Sequence, residues 1–374
     1  MKFFKTSPFR ITPSKDTSFW ADRKNTKKMI DYAINEFFTN EPSRILDLWG
    51  VYGSGKSHTL SYISNFANEK CIVVYSPLPK NLKNFAELYK QSFAPNFDFK
   101  EFSLACSEIY RKYCSSANWQ QTFAPVMQEL LDNNLDFARI IYTIGKTLRF
   151  SSYEEAVLEE ENFGLCIQWL KGETLQSVNL KKIKVQKSLK NDLEFVKLFG
   201  MITKVSNSEN MNKKIIWALD DCHSFDDDKK KATVVQRGLR DLFDSCPDGF
   251  CLILASASIT RDVWDDMLIG DLKSRISPTW KINLGLFDPE NLTDPVQFIH
   301  DLINFEQFKL EDKDTWYPFE NESVVNTTIS HIQKSGIEFT PRRIMEFFSA
   351  LVNNAEIQNL SIIDEKFVTE FIKN

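Results

Sequence analysis

The 374-residue sequence predicts an α/β protein with a parallel sheet, a large helical insertion within the sheet region, and a C-terminal helical lid. Short apolar runs, typical of buried strands, occur near residues 44–75 and again at 213–258, and each group contains a helical pattern between two runs. Strand–helix–strand units of this kind imply parallel strands. Residues 81–208 between the two groups are almost wholly helical in pattern, as is the chain after 286.

The first group holds the strongest motif of the sequence. The amphipathic helix NTKKMIDYAINEFF precedes an apolar run at 45–49, and this run leads into glycines at 50, 53 and 55, followed by Lys56 and Ser57. The pattern HTLSYISNF then predicts a helix, and CIVVY predicts the next strand. An ordinary glycine-rich turn is the alternative, but a G-x-x-x-x-G-K-S motif between a strand and a helix is typical of a phosphate-binding P-loop.

The residue types of this loop suit a nucleoside triphosphate. Glycines let backbone N–H groups and the helix N-terminus point at a phosphate, Lys56 would reach the β- and γ-phosphates, and the Ser57 hydroxyl would ligate Mg²⁺. We therefore predict ATP and Mg²⁺ as cofactors. The predicted nucleotide-binding residues of the loop are Gly50, Gly53, Ser54, Gly55, Lys56, Ser57 and His58.

The second group ends a strand in two acids. KKIIWALDD, at 213–221, has the Walker B pattern, in which Asp220 would hold Mg²⁺ and Asp221 would orient or deprotonate the attacking water. The alternative is that the acid pair only caps the following turn. A helix at 229–245 and the strands GFCLILASAS and WKINLG follow. Aspartate is one methylene shorter than the glutamate common at the second position, so we expect slow turnover.

These motifs together resemble the initiator clade of AAA+ ATPases. The resemblance lies in GKSHTL, LDDCHSF, the stretch LILASASITRDVWDDMLIGDLKSRISPTWKINL, and GIEFTPRRIMEFFSAL. It implies that Ser256 or Ser258 is a polar sensor near the γ-phosphate and that Arg275 is an arginine finger acting on a neighbouring subunit. It also implies that Arg342 or Arg343 touches the phosphates of its own site. A P-loop NTPase sheet of the AAA+ type is the implied fold.

Two further resemblances give other expectations. The long helical insertion, with its segment CIQWLKGETLQSVNLKKIKV, is loosely similar to P-loop ATPases of BREX-type phage-defence systems, which implies an antiphage setting. The STAND class of switch ATPases has an arginine near the strand end where Arg261 stands, and there it senses the γ-phosphate. That resemblance implies a nucleotide switch with slow hydrolysis that controls a partner protein. A small-molecule P-loop kinase is a third hypothesis, which leaves the acid pair and the LKSR segment unexplained.

The expected organisation has four parts. Residues 1–80 are a lead-in and the first half of the core, 81–208 the insertion, 209–285 the second half of the core, and 286–374 the lid. Seven scattered cysteines without a C-x-x-C pair and the absence of a membrane-length apolar run predict a cytoplasmic protein.

Composition and charge limit the expected partners. A net charge of −5 does not predict a surface that coats nucleic acid, although the run NLKKIKVQKSLKN holds lysines 181, 182, 184, 187 and 190. That run is either a solvated surface or a DNA-backbone contact. No DNA-reading domain follows the lid, so sequence-specific DNA binding is not expected. We expect a homo-oligomer, as a ring or a filament, which acts on DNA or a partner effector protein and not on a membrane.

Overall fold

A computed structural model describes residues 2–10, 20–21, 23–39, 42–114, 128, 131–208, 212–258, 260–310, 313–336 and 338–373. In these ranges five parallel strands form one sheet in the order β2–β3–β4–β1–β5. The strands are β1 (Arg44–Gly50), β2 (Cys71–Pro77), β3 (Lys214–Asp220), β4 (Phe250–Ala257) and β5 (Lys281–Asn283). The predicted α/β fold class, a parallel P-loop sheet with a helical insertion and C-terminal helices, is therefore confirmed.

The strand order decides which chain segments meet at the carboxyl edge of the sheet. Strand β4 lies between β1, which leads into the glycine loop, and β3, which ends in Asp220. In register, Gly50 is opposite Ala257 of β4, and Pro77 of β2 is opposite Asp220. All five strands point the same way, so the glycine loop and the acid pair reach the same edge, where ligands of open α/β sheets bind.

Helices cover both faces of this sheet and form the C-terminal part. In chain order they are α1 (Lys24–Thr39), α2 (Lys56–Ala67), α3 (Phe85–Leu88), α4 (Ala94–Asn96), α5 (Phe99–Ile109), α6 (Leu135–Leu148), α7 (Tyr153–Glu159), α8 (Glu161–Leu170), α9 (Ser177–Lys182), α10 (Asp192–Ser206), α11 (Lys229–Ser245), α12 (Arg261–Met267), α13 (Gly270–Lys273), α14 (Thr293–Asn304), α15 (Glu322–Lys334), α16 (Pro341–Ile357) and α17 (Glu365–Lys373). Two π-helical turns, Tyr89–Phe93 and Tyr110–Cys114, extend α3 and α5, and short 3₁₀ turns follow β3 and precede β5.

The helical insertion packs directly on one face of the sheet. Trp217 of β3 is fully buried there, with its ring centre 5.2 Å from that of Phe93 and 5.7 Å from that of Phe199. These rings belong to one apolar cluster that runs from the sheet through helices α3 to α11. The phenylalanine-rich insertion therefore shares its core with the sheet, while α1 and α2 cover the opposite face.

The C-terminal helices have a separate core, which includes the first residues of the chain. Phe3, Phe4 and Phe9 are buried in the same cluster as helices α14 to α17. The Phe3 N–H donates to Glu356 Oε1 at 2.8 Å, and the Phe9 ring centre lies 5.7 Å from that of Phe348. The first residues of the predicted lead-in thus pack on the C-terminal helical unit, from which they are distant in sequence.

Across the described ranges, no helix is long and apolar enough to cross a membrane. All seven cysteines are buried and free.

Candidate nucleotide-binding site

The glycine loop connects β1 to α2 at the carboxyl edge of the sheet. Gly53 and Gly55 have positive φ angles of 83° and 100°, which residues with a Cβ rarely adopt, so the turn depends on glycine at both positions. A Cβ on Gly53 would lie 2.9 Å from the Cβ of Arg342, because the loop touches the start of α16. The loop is therefore in close contact with the C-terminal helical unit.

Lys56 is folded back into this loop. Its Nζ donates to the carbonyl oxygens of Gly50 at 3.0 Å and Val51 at 2.8 Å. Burial lowers the pKa of Lys56 to about 8, against the opposing effect of Asp220 and Asp221. A buried ammonium group with a lowered pKa is a functional-site signal, since a phosphate would give it the counter-charge that the fold alone supplies only in part.

Asp220 and Ser57 meet at the end of β3. The Ser57 hydroxyl donates to Asp220 Oδ2 at 2.6 Å, and the Tyr75 hydroxyl donates to the same oxygen at 3.1 Å. Burial, followed by the nearby Asp220, raises the pKa of Tyr75, so it remains a donor at physiological pH. A hydroxyl and a carboxylate oxygen side by side are hard oxygen ligands, so this pair fits the Mg²⁺ predicted from the sequence.

Asp221 has a different environment from Asp220. It has a left-handed backbone conformation with φ 57°, and its side chain is exposed beside His223, whose Nδ1 is 4.0 Å from Asp221 Oδ1. Asp220 is buried, while the carboxylate of Asp221 is open to solvent. The first acid is therefore held in place by the fold and the second can reach water.

Lys56, Ser57, Asp220 and Asp221 line a cavity of about 410 Å³ between the sheet and the C-terminal helices. One end is polar and is formed by the glycine loop, the N-terminus of α2, Asp220 and Asp221. The lining also includes apolar side chains: Pro8, Trp20, Ala21, Leu284, Phe298, Leu302, Phe308, Pro341 and Met345. The first N–H groups of a helix have no partner within it, so the start of α2 adds donors to the polar end.

The two arginines at the start of α16 are placed differently. Thr340 caps this helix and Pro341 is its first residue. Arg342 lines the cavity, with its guanidinium 4.6 Å from the ring centre of Tyr52, and its backbone N–H donates to the Gly53 carbonyl at 3.3 Å. Arg343 pairs with Glu346 at 2.8 Å and does not line the cavity, since consecutive helical residues point about 100° apart.

The two candidate sensor serines lie at the end of β4, Ser256 within the strand and Ser258 just after it. Ser256 is fully buried, and its hydroxyl has no hydrogen-bond partner within the described ranges. The Ser258 hydroxyl donates to the Thr260 carbonyl at 2.7 Å, and its N–H donates to the Gly50 carbonyl at 3.1 Å. Neither serine lines the cavity, although Ala257 between them does.

Arg261 is the first residue of α12 and forms ion pairs with two acids. Its guanidinium lies 2.6 Å from Asp47 Oδ2 and 2.5 Å from Asp265 Oδ1. Asp47 is fully buried in β1 and also accepts a hydrogen bond from the Trp264 indole at 2.8 Å. Burial raises the pKa of Asp47 and Arg261 opposes this shift. In this arrangement Arg261 anchors α12 to the sheet and does not border the cavity.

Arg275 lies on the outer surface. Its Nε and Nη2 donate to the two carboxylate oxygens of Asp244, at 2.9 and 3.1 Å, near the end of α11. The side chain is about two-fifths exposed, and it is not among the residues that line the cavity. Within one chain, therefore, Arg275 is separate from the glycine loop and the acid pair.

Sequence reasoning missed the contribution of the N-terminal segment. Arg10, Trp20 and Arg23 line the cavity, and Trp20 packs on Tyr62 of α2 with ring centres 5.1 Å apart. The local sequence does not identify Trp20 or Arg23 as site residues, since the segment FWADR at 19–23 matches no known motif. Their role depends on packing between chain segments far apart in sequence.

No protein-family model and no curated protein matches the sequence. Among solved structures, the chain is similar to one chain of Drosophila ORC bound to DNA, at 9% sequence identity and a TM-score of 0.44. The similarity covers 98% of this chain and 65% of that chain, so this chain spans a little under two thirds of its length. A similarity at this level identifies neither a family nor an activity.

Proposed function

We propose that this chain binds ATP with Mg²⁺ in the cavity and hydrolyses it, as an ATPase of the AAA+ type. The observation that carries this proposal is a single cavity whose polar end joins the glycine loop to the acid pair. Both sequence motifs were predicted separately, and residues 163 positions apart form the Ser57–Asp220 hydrogen bond. A glycine-rich turn without a phosphate role would not need this partner.

The shape and polarity of the cavity support a nucleoside triphosphate as the ligand. Its volume of about 410 Å³ is in the range of small-molecule sites, and its apolar lining residues suit a planar base. Lys56 would exchange the Gly50 and Val51 carbonyls for phosphate oxygens. Mg²⁺ held by Ser57 and Asp220 would neutralise charge on the β- and γ-phosphates.

The exposed Asp221 is the proposed group that orients the attacking water. It stands next to the metal-holding Asp220, and its side chain is free to contact solvent. Arg342 is the proposed arginine of the chain's own site that contacts the phosphates, since it lines the cavity and Arg343 does not.

We propose that the chain oligomerises with nucleotide between protomers. Arg275 would leave Asp244 and enter the site of a neighbouring copy as an arginine finger. Support comes from its position outside its own cavity, on an exposed surface where another copy can approach. An exposed ion pair costs little to break, so the move is energetically feasible.

DNA or an effector protein is the proposed target, with antiphage defence as the setting suggested by the looser resemblance. The five lysines of the run 181–190 are exposed, although Lys182 pairs with Glu161 and Lys187 with Glu194. Their DNA contact would be salt-dependent. Mobility shifts in rising salt test it, and an absence of binding at low salt would leave a protein partner.

A nucleotide switch with slow hydrolysis is the second candidate, since Asp221 replaces the longer glutamate. The residue that would mark such a switch, Arg261, is instead paired with Asp47 and Asp265. This pairing favours an anchoring role for Arg261 and therefore the ATPase.

The proposed function is tested by titrating the protein with a fluorescent ATP analogue. Lys56→Ala should abolish binding, because it removes the mobile cation of the loop, while the exposed Lys80→Ala should bind as the wild type does. Equal affinity of the wild type and Lys56→Ala would contradict the phosphate site.

A further inference from the structure

Arg23, in the N-terminal segment, contacts both the glycine loop and the connection that follows β5. Its Nη1 donates to the Ser54 carbonyl at 2.8 Å and its Nη2 to the Gly285 carbonyl at 2.6 Å. The guanidinium also lies 5.0 Å from the ring centre of Phe287. Ser54 belongs to the glycine loop, and Gly285 and Phe287 belong to the connection from β5 to the C-terminal helices. One side chain thus links the glycine loop to the start of the C-terminal unit.

The carbonyl that Arg23 holds controls a donor of the loop. A trans peptide is planar, with its C=O and N–H on opposite sides, so fixing the Ser54 carbonyl also fixes the direction of the Gly55 N–H. In the described part of the chain, that N–H has no hydrogen-bond partner. Gly55 has a φ of 100°, and no atom lies within 4 Å of a Cβ built on it.

The local sequence alone would leave this peptide free to rotate. Glycine adopts positive and negative φ with nearly equal ease, and among the described residues no atom near the Cβ position of Gly55 restricts it. Rotation of the Ser54–Gly55 peptide would turn the Gly55 N–H towards Arg23. The Ser54 carbonyl oxygen would then point the other way, where it would repel a bound phosphate. The orientation of the peptide is therefore set mainly from outside the loop, by Arg23.

We propose that Arg23 is a positioning residue that keeps the Gly55 N–H directed at a bound phosphate and couples the glycine loop to the C-terminal unit. This inference rests on the proposed nucleotide site and adds a residue outside every motif. A guanidinium suits the task because its planar fork holds separate N–H groups in a fixed geometry, one for each carbonyl, whereas the ammonium of a lysine is a compact point charge with rotatable donors.

The N-terminal segment gives the coupling its second anchor. Residues 2–10 pack into the core of the C-terminal unit, and the Lys5 N–H donates to the Phe308 carbonyl at 3.0 Å. The segment that contains Arg23 therefore follows residues held by the C-terminal helices. A displacement of those helices would act on the loop through Arg23 and Gly285.

The test compares ATP-analogue affinity in the wild type, Arg23→Ala and Arg23→Lys, with Lys24→Ala as the control for loss of a neighbouring exposed cation. We expect Arg23→Ala to bind about 10- to 100-fold more weakly, the range for losing hydrogen bonds from a charged donor. Arg23→Lys should stay close to Arg23→Ala because its compact ammonium lacks the fixed fork of two nitrogens that contacts both carbonyls. Lys24→Ala should match the wild type.

Hydrogen–deuterium exchange of the nucleotide-free proteins gives the independent readout. Loss of the bridge should raise exchange in residues 51–58 and 284–287 together in Arg23→Ala, with no change elsewhere in the sheet. Wild-type affinity in Arg23→Ala or Arg23→Lys, or unchanged exchange in both segments, would overturn the inference while leaving the nucleotide site intact. A wild type that binds no nucleotide would overturn the proposed function and this inference together.

Discussion

The cavity and the segment that carries Arg275 differ in how much of their proposed function one chain can complete. At the cavity, residues from the glycine loop, α2, β3 and α16 come together. Arg275 makes its contacts with Asp244 on the outer surface instead. Under the proposed function, binding and turnover therefore have separate requirements: one chain would hold the nucleotide, and a second chain would be needed to hydrolyse it.

The largest expected effect comes from Arg275→Ala. An arginine finger contributes about 10³- to 10⁵-fold to phosphoryl transfer, so hydrolysis should fall by that order while ATP affinity stays near the wild-type value. Steady-state ATPase rates and ATP-analogue titrations measure the two quantities. Arg240→Ala is the matched control, since Arg240 is also an ion-paired surface residue on the same side, contacting Asp271 at 3.1 Å. An equal loss of turnover in Arg240→Ala would argue against a specific finger.

Asp221→Asn is expected to separate binding from turnover within the cavity. It neutralises the proposed water-orienting carboxylate and leaves the Ser57–Asp220 hydrogen bond in place. Single-turnover hydrolysis should slow about 10²- to 10⁴-fold, the usual contribution of a general base, with ATP binding retained. Asp227→Asn, a few residues further along the chain, serves as the control. Wild-type hydrolysis in Asp221→Asn would remove this residue from the mechanism.

Arg261→Ala tests whether this arginine anchors the segment or senses nucleotide. Removing it leaves the buried Asp47 without its charged partner, which costs about 3–5 kcal/mol in the free energy of unfolding. Denaturant unfolding measures the loss, with the exposed Arg237→Ala expected to stay within about 0.5 kcal/mol of the wild type. Unchanged stability with altered discrimination between ATP and ADP would instead support the switch.

The pH dependence of Arg261→Ala has a definite sign. Burial already raises the pKa of Asp47, and loss of Arg261 raises it further. A carboxyl whose pKa is higher in the folded state favours folding when protonated, and that stability is lost as the pH rises through the folded-state pKa. The destabilisation should therefore be largest at neutral pH and shrink on acidification. A loss in the free energy of unfolding that stays the same on acidification would show that Asp47 is not the group responsible.

The smallest expected effect is the pH dependence of ATP affinity in the wild type. Lys56 has a pKa of about 8 in the free protein, and phosphate binding favours its charged form. Affinity should therefore be steady below pH 8 and fall above it by up to about tenfold per unit, because the neutral amine must first take up a proton. Titrations at constant ionic strength measure this, and a flat profile above pH 8 would contradict the assignment.

The fold was predictable where the signal is local. The apolar run before the glycines, the run before Asp220 and the helical periodicity of 81–208 each depend on neighbours in sequence, and strands and helices occur there. The packing of Phe3, Phe4 and Phe9 on the C-terminal helices was not predictable. It depends on contacts across more than three hundred residues, for which the sequence N-terminus shows no pattern.

The candidate site divides in the same way. The glycine loop and the acid pair are sequence motifs, and the structure brings them to one cavity, where their roles stay predictions. The choice between Arg342 and Arg343 depends on the rotation of α16 relative to Gly53. The pairing of Arg261 depends on Asp47, a charged residue inside a strand. Arg23 could not be recognised, because its partners are backbone carbonyls, which any sequence supplies.

The central claim is that one working site takes Asp221 from one chain and Arg275 from another, and mixing two inactive variants tests it most directly. Arg275→Ala and Asp221→Asn proteins are combined in varied ratios, and the ATPase rate is measured while mass photometry confirms mixed oligomers. We predict that activity recovers in the mixture, because an interface between an intact Asp221 and an intact Arg275 can form. Confirmed mixed oligomers without any recovery would contradict the claim.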